Sequence, residues 1–79
     1  MNAEILSQLQ LLFRDVMDND EVVLQGETSA ADIEEWDSVT HVMLIVAVEK
    51  HFRVRFDQAE IQKLKTVSDL ISLVEHKAS

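Results

Sequence analysis

Seventy-nine residues, 47% of them hydrophobic and none of them cysteine, make one small domain (1–79) whose core must hold without disulfide staples. The net charge of −8 is unevenly spread: residues 1–37 carry ten acids and one base, residues 38–79 five acids and six bases. Nucleic acid and anionic membrane are therefore poor partners for the first half, and basic protein surfaces are better ones.

The opening residues Met1-Asn2-Ala3-Glu4 show no basic region leading into an apolar signal segment. The longest apolar run, Val42 to Val48, has seven residues, too few to insert across a membrane. A cytoplasmic, reducing setting is the expectation.

With no proline and a single glycine, Gly26, the chain is expected to be helical. Ile5, Leu9, Leu12, Phe13 and Val16 fall at helical spacing within about Ala3 to Met17. Asn2 can cap that helix. Residues 18–37, "DNDEVVLQGETSAADIEEWD", form a long polar loop interrupted by Val22, Val23, Leu24, Ile33 and Trp36. Those apolar residues imply that the loop is tacked onto the core, and a loop of this length is usually functional or disordered.

A second helix is expected from about Ser38 to Phe52, with Asp37 as its N-cap. Its β-branched residues leave a strand as the competing reading of Val42 to Val48, but length and the Glu49-Lys50 continuation favour helix. "FRVRF", Phe52 to Phe56, alternates like a strand; with no partner strand in view it reads as an extended connection. Asp57-Gln58-Ala59-Glu60 has capping-box spacing for a short third helix. Thr66-Val67-Ser68-Asp69 has a related pattern before a last helix of about Val67 to Lys77, with Val67, Leu70, Ile71 and Val74 as its buried face.

The second helix carries two apolar stripes. Leu44, Ile45, Val48 and Phe52 make one; Val39, Val42, Met43 and Val46 make the other, starting one residue after Ser38. So few helices cannot easily enclose both, so the second stripe is a candidate partner surface. Ser38 falls in the helix's first turn, where unpartnered N–H groups and the helix dipole favour a phosphate group. An aspartate and a serine at this place also simply start a helix.

The stretch "WDSVTHV", Trp36 to Val42, resembles the attachment motif of acyl carrier proteins, in which an Asp-Ser-Leu core precedes the second helix of a four-helix bundle. The resemblance extends to chain length, acidic balance, the long first loop, the aromatic ending helix two and "LKTVSDLISLVE", residues 64–75. It implies an all-α fold of three main helices plus one short one. It also implies that Ser38 carries 4′-phosphopantetheine, attached through a phosphodiester by a phosphopantetheinyl transferase using coenzyme A. The arm's thiol would hold acyl groups as thioesters, a chemistry that a chain without cysteine must borrow.

On the same resemblance Asp37 assists the transferase, and Val39, Val42, Met43 and Val46 contact partner enzymes such as loading, synthase and transferase enzymes. Two departures stand out. Valine replaces the usual leucine at position 39, and Val39 to Val48 holds no acid, whereas carriers of fatty-acid synthesis usually present carboxylates there. Charge comes instead from the loop, where Glu34 and Glu35 are the candidate partner contacts alongside Asp32 and Asp37.

Other chemistry finds less support. Asp37, Ser38 and His41 suggest a triad, but there is no Gly-x-Ser-x-Gly elbow, and no intrinsic catalysis is expected. His41, read as a surface residue near the arm, and His51 and His76, near helix ends, have no cysteines to complete a metal set. Asp15, Asp18, Asp20 and Glu21 lack a calcium-loop pattern and read as a solvated patch.

The expected protein is thus a monomeric acyl carrier, phosphorylated in the sense of its phosphodiester, serving fatty-acid, polyketide or related specialised biosynthesis. Alternatives are an aminoacyl or peptidyl carrier, or a helical adaptor that is never modified. An acyl chain could shelter among residues such as Leu44, Val48, Ile61 and Leu70.

Overall fold

The computed structural model describes residues 2–78. Four helices succeed one another in chain order: α1 (Ala3–Met17), α2 (Ser38–Phe52), α3 (Gln58–Lys63) and α4 (Val67–Ala78). The expected boundaries hold, with α4 one residue longer than its periodicity indicated. Among the described residues no helix is long and apolar enough to cross a membrane.

Side chains cap all four starts by the mechanism that spacing implied, Asp37 doing so at α2. Asn2 Oδ1 accepts from the amides of Glu4 and Ile5 at 3.0 and 3.2 Å. Asp57 and Glu60 exchange side-chain and backbone bonds in a capping box at α3. At α4, Asp69 Oδ2 accepts from the amides of Lys65 and Thr66, and Thr66 Oγ1 accepts from the Asp69 amide. With glycine scarce, α1 and α2 end on Asp18 and Arg53 in the left-handed region, φ 53° and 57°, where glycine is commonest.

The core gathers Leu9, Phe13 and Met17 of α1, Leu44, Ile45 and Val48 of α2, and Val67, Leu70, Ile71 and Val74 of α4. Ile5, Leu12, Val16 and Phe52 pack against it, half-buried. "FRVRF" is a connection only in part: Phe52 closes α2 and Arg53 is its left-handed cap, which leaves residues 54–56 as the non-helical link. Val54 and Phe56 turn inward and Arg53 and Arg55 outward, and Glu49 Oε2 accepts from the Phe56 amide at 2.9 Å.

The first loop is fastened by its apolar residues, as anticipated, and by hydrogen bonds that periodicity does not reveal. Val22, Leu24, Ile33 and Trp36 are buried, while Val23 faces solvent at 65% exposure. Arg14 Nε donates to the Val22 carbonyl at 2.8 Å, and the Leu24 amide donates to Gln10 Oε1 at 3.0 Å. Further along, the carbonyls of Thr28 and Gly26 accept from the amides of Val67 and Ser68 at 2.9 and 2.8 Å. A helix leaves its first amides without internal partners; here the loop supplies acceptors for two of them.

Phe13 is fully enclosed and Val42 is 60% exposed, so truncation should separate them sharply. Phe13→Ala is expected to cost about 3–5 kcal/mol, and Val42→Ala to change stability by no more than about 0.5 kcal/mol. Urea denaturation followed by circular dichroism checks both values.

Candidate functional site

The site is built on the end of the first loop. Trp36 is buried with its ring edge-on to Phe13 of α1, the centroids 5.0 Å apart and the planes at 88°, a favoured aromatic geometry. Its indole N–H donates to His41 Nδ1 at 3.0 Å. Indole can only donate, so Nδ1 of His41 is an acceptor, and the neutral ring carries its proton on Nε2.

Between these two residues, Asp37 starts α2. Its Oδ1 accepts from the amides of Val39 and Thr40 at 2.9 and 3.0 Å, and Thr40 Oγ1 accepts from the Asp37 amide at 2.8 Å. The Thr40 hydroxyl donates in turn to the Glu35 carbonyl at 2.7 Å. These bonds hold the Asp37 carboxyl below its ordinary value of 3.8; the Thr40 amide contributes most, the Val39 amide and Thr40 hydroxyl add to it, and desolvation opposes them. One expectation is corrected here. The first-turn amides are not all left for a phosphate, because those of Val39 and Thr40 already serve Asp37.

Ser38 comes next, exposed, on the rim of an open groove of about 540 Å³. Trp36, Asp37 and His41 line it from the same segment; Ser29, Ala30 and Ala31 contribute from the first loop, and Leu64 and Lys65 from the α3–α4 connection. His41 is half-buried here rather than a plain surface residue. The lining residues of 29–31 and 64–65 went unrecognised in the sequence, where nothing links two segments so far apart.

The six candidate partner contacts fall in two groups. Val39, Val42, Met43 and Val46 share the outer face of α2 at 66, 60, 50 and 42% exposure. Glu34 and Glu35 instead line a smaller groove of about 220 Å³ with Asn19, Glu21 and Asp32. Glu34 is exposed, whereas Glu35 is half-buried and accepts from Asn19 Nδ2 at 2.9 Å.

Ser38, Asp37 and His41 are not wired as a triad. The Asp37 carboxylate is turned to backbone amides and His41 Nδ1 to Trp36, so neither the base nor its orienting acid is arranged as nucleophilic catalysis needs. Asp15, Asp18, Asp20 and Glu21 are exposed. His51 Nε2 lies 2.6 Å from Gln8 Oε1, joining the end of α2 to α1.

No family model matches the sequence. Individual proteins do. An acyl carrier protein of Thermosynechococcus vestitus is 32% identical over 98% of this chain and 95% of its own length. One from Thermotoga maritima is 31% identical over 94% and 91%. Among solved structures, the holo acyl carrier protein of Geobacter metallireducens superposes with a TM-score of 0.86 at 50% identity, covering 91% of this chain and 83% of that one. The crystal structure of the Thermotoga maritima protein, 24% identical in its structural alignment, reaches a TM-score of 0.84 and attests the shared fold.

A helical carrier protein, not a catalyst, is what this fold and these likenesses define. The chain belongs to the acyl carrier protein family.

Asp37, Glu60 and Asp69 all titrate below their ordinary values of 3.8, 4.5 and 3.8, chiefly through bonds from the amides of Thr40, Asp57 and Lys65 respectively. A carboxyl whose folded value is depressed contributes stability that is complete above its unfolded value and disappears as pH falls through the folded one. The thermal midpoint should therefore hold steady down to the ordinary carboxylate range and decline below it. Asp69→Asn should lower the neutral-pH plateau and flatten that acid limb, as read by calorimetry over a pH series.

Proposed function

We propose that Ser38 is the attachment point of 4′-phosphopantetheine and that the chain, acting as one unit over 1–79, presents acyl groups to successive enzymes. The observation that carries this reading is the placement of Ser38: exposed, at the first position of α2, on the rim of an open groove. A transferase needs a hydroxyl it can reach on backbone that does not move. Asp37 and Thr40 fix that backbone, and Trp36 ties it to the core.

In the modification, Ser38 Oγ forms the new bond to phosphorus as the pyrophosphate bond of coenzyme A breaks. Adenosine bisphosphate departs, and the hydroxyl proton passes to a base of the transferase. Asp37, ionised and exposed, lies beside the reacting oxygen in sequence, placed to assist the transferase at its metal ion. Once attached, the group supplies a thiol on a flexible tether, which raises the effective concentration of cargo at each partner's active site.

The outer stripe of Val39, Val42, Met43 and Val46 is the surface on which partner enzymes dock. Exposed apolar side chains grouped on one helix face mark interaction sites, and no acid interrupts these. Glu34 and Glu35 supply peripheral charge from the loop. The setting is cytoplasmic, the chain monomeric, and the pathway one of fatty-acid, polyketide or related specialised synthesis.

Incubation with coenzyme A and a broad-specificity phosphopantetheinyl transferase should add one phosphopantetheine to the intact mass, and none to Ser38→Ala. Unmodified wild type beside a labelled control carrier would favour the adaptor reading. The docking surface has its own test. Val42→Ser combined with Met43→Ser should lower the transferase's kcat/KM about fivefold or more, with little dependence on salt. A strong fall in wild-type rate as ionic strength rises would instead assign docking to the acidic loop.

A further inference from the structure

We propose that the Ser38 groove is the resting place of the chain's own phosphopantetheine arm, with Lys65 as the counter-ion of its phosphodiester and Trp36 and Leu64 as the apolar wall beneath it. This rests on Ser38 being the attachment site. The groove's volume of about 540 Å³ falls in the range of about 300–1,000 Å³ usual for small-molecule sites. The occupant would be covalently tethered at the rim, so it needs little affinity to stay there.

Charge sets the direction in which the arm lies. The phosphodiester would join Ser38 next to Asp37, a carboxylate that its capping bonds keep ionised, and like charges so close repel. From Ser38 to Val48 the chain has no lysine or arginine to offset that pair. Lys65 is the one lysine or arginine lining the groove, and it comes from the α3–α4 connection. Repulsion at Asp37 and attraction at Lys65 therefore draw the arm across the groove instead of along α2.

The lining suits the part of such an arm beyond the phosphate, a branched apolar segment and two amides. Ala30, Ala31, Leu64 and the Trp36 ring offer apolar contact, and Ser29 and His41 offer polar groups. The groove is distinct from the inner positions named for sheltering an acyl chain: Leu44 and Val48 are wholly enclosed and Leu70 nearly so, and neither they nor Ile61 line it.

Trp36 is the single tryptophan and one wall of the groove, so the protein's indole emission comes from a groove residue. The proteins compared are wild type, Lys65→Gln and Lys65→Arg, each as apo and as holo protein with modification verified by mass. Lys65 helps cap α4 through its backbone amide, and its side-chain charge is the least of the influences on the capping carboxylate of Asp69, so these side-chain changes preserve the cap. Wild type should change its emission between apo and holo, and its arm thiol should react slowly with a bulky disulfide reagent. Lys65→Gln should shrink the emission change and speed the thiol reaction about two- to fivefold, the scale of one exposed ion pair; Lys65→Arg should restore both, and high salt should mimic the glutamine variant. Identical emission from mass-verified apo and holo wild type would overturn the proposal, as would a glutamine variant indistinguishable from wild type in both readouts. Absence of any mass gain would instead overturn the assignment of Ser38.

Discussion

The contact between Trp36 and Phe13 is the constraint on which the site depends. A loop that leaves α1 at Asp18 and returns to helix only at Ser38 has ample freedom to misplace its last residues, and fixing each one costs conformational entropy. Burial of one indole against α1, with centroids 5.0 Å apart, secures the residue two before the serine. The Asp37–Thr40 capping box then sets the first turn. Ser38 needs no side-chain restraint of its own, because the residues on both sides of it are held.

The middle of the same loop solves a different problem. The amides of Val67 and Ser68 at the start of α4 find acceptors in the carbonyls of Thr28 and Gly26, which joins the middle of the loop to the last helix. That junction brings residues 29–31 beside 64 and 65 and so makes the groove. In a chain this short, one set of backbone bonds both closes a helix start and walls the functional site, which is how a small core holds a long loop.

The helices were legible because their signals are local. Caps at Asn2, Asp37, Asp57 and Thr66–Asp69 mark starts within a few residues of the helical periodicity, and the two stripes of α2 separated as their spacing implied. What was hidden depends on pairs distant in the chain. Val22, Val23 and Leu24 look alike in sequence, yet the middle one faces water, because an extended segment alternates its side chains. Glu35 reads as a free surface acid until Asn19 is found beside it. His41 reads as solvent-facing until the Trp36 indole N–H is seen to need an acceptor. The carboxylate of Asp37 was legible as a cap, but not that, as a cap, it would occupy amides a phosphate would otherwise use.

Each residue of an α-helix advances about 100° around the axis, and on that wheel Ser38 falls between the two stripes of α2. The buried side, from His41 through Leu44, Ile45 and Val48, lies to one side of it; Val39, Val42, Met43 and Val46 lie to the other. A serine at the centre of the outer stripe would place any attached group under a docking partner. At the centre of the inner stripe it would be enclosed by the core. With the arm on Ser38 and docking on the outer stripe, as proposed, the boundary is the position from which a tether would reach the groove on one side and a seated partner on the other. The outer stripe stays apolar and exposed although the core does not use it, and burying it against a partner is what the proposed docking would gain.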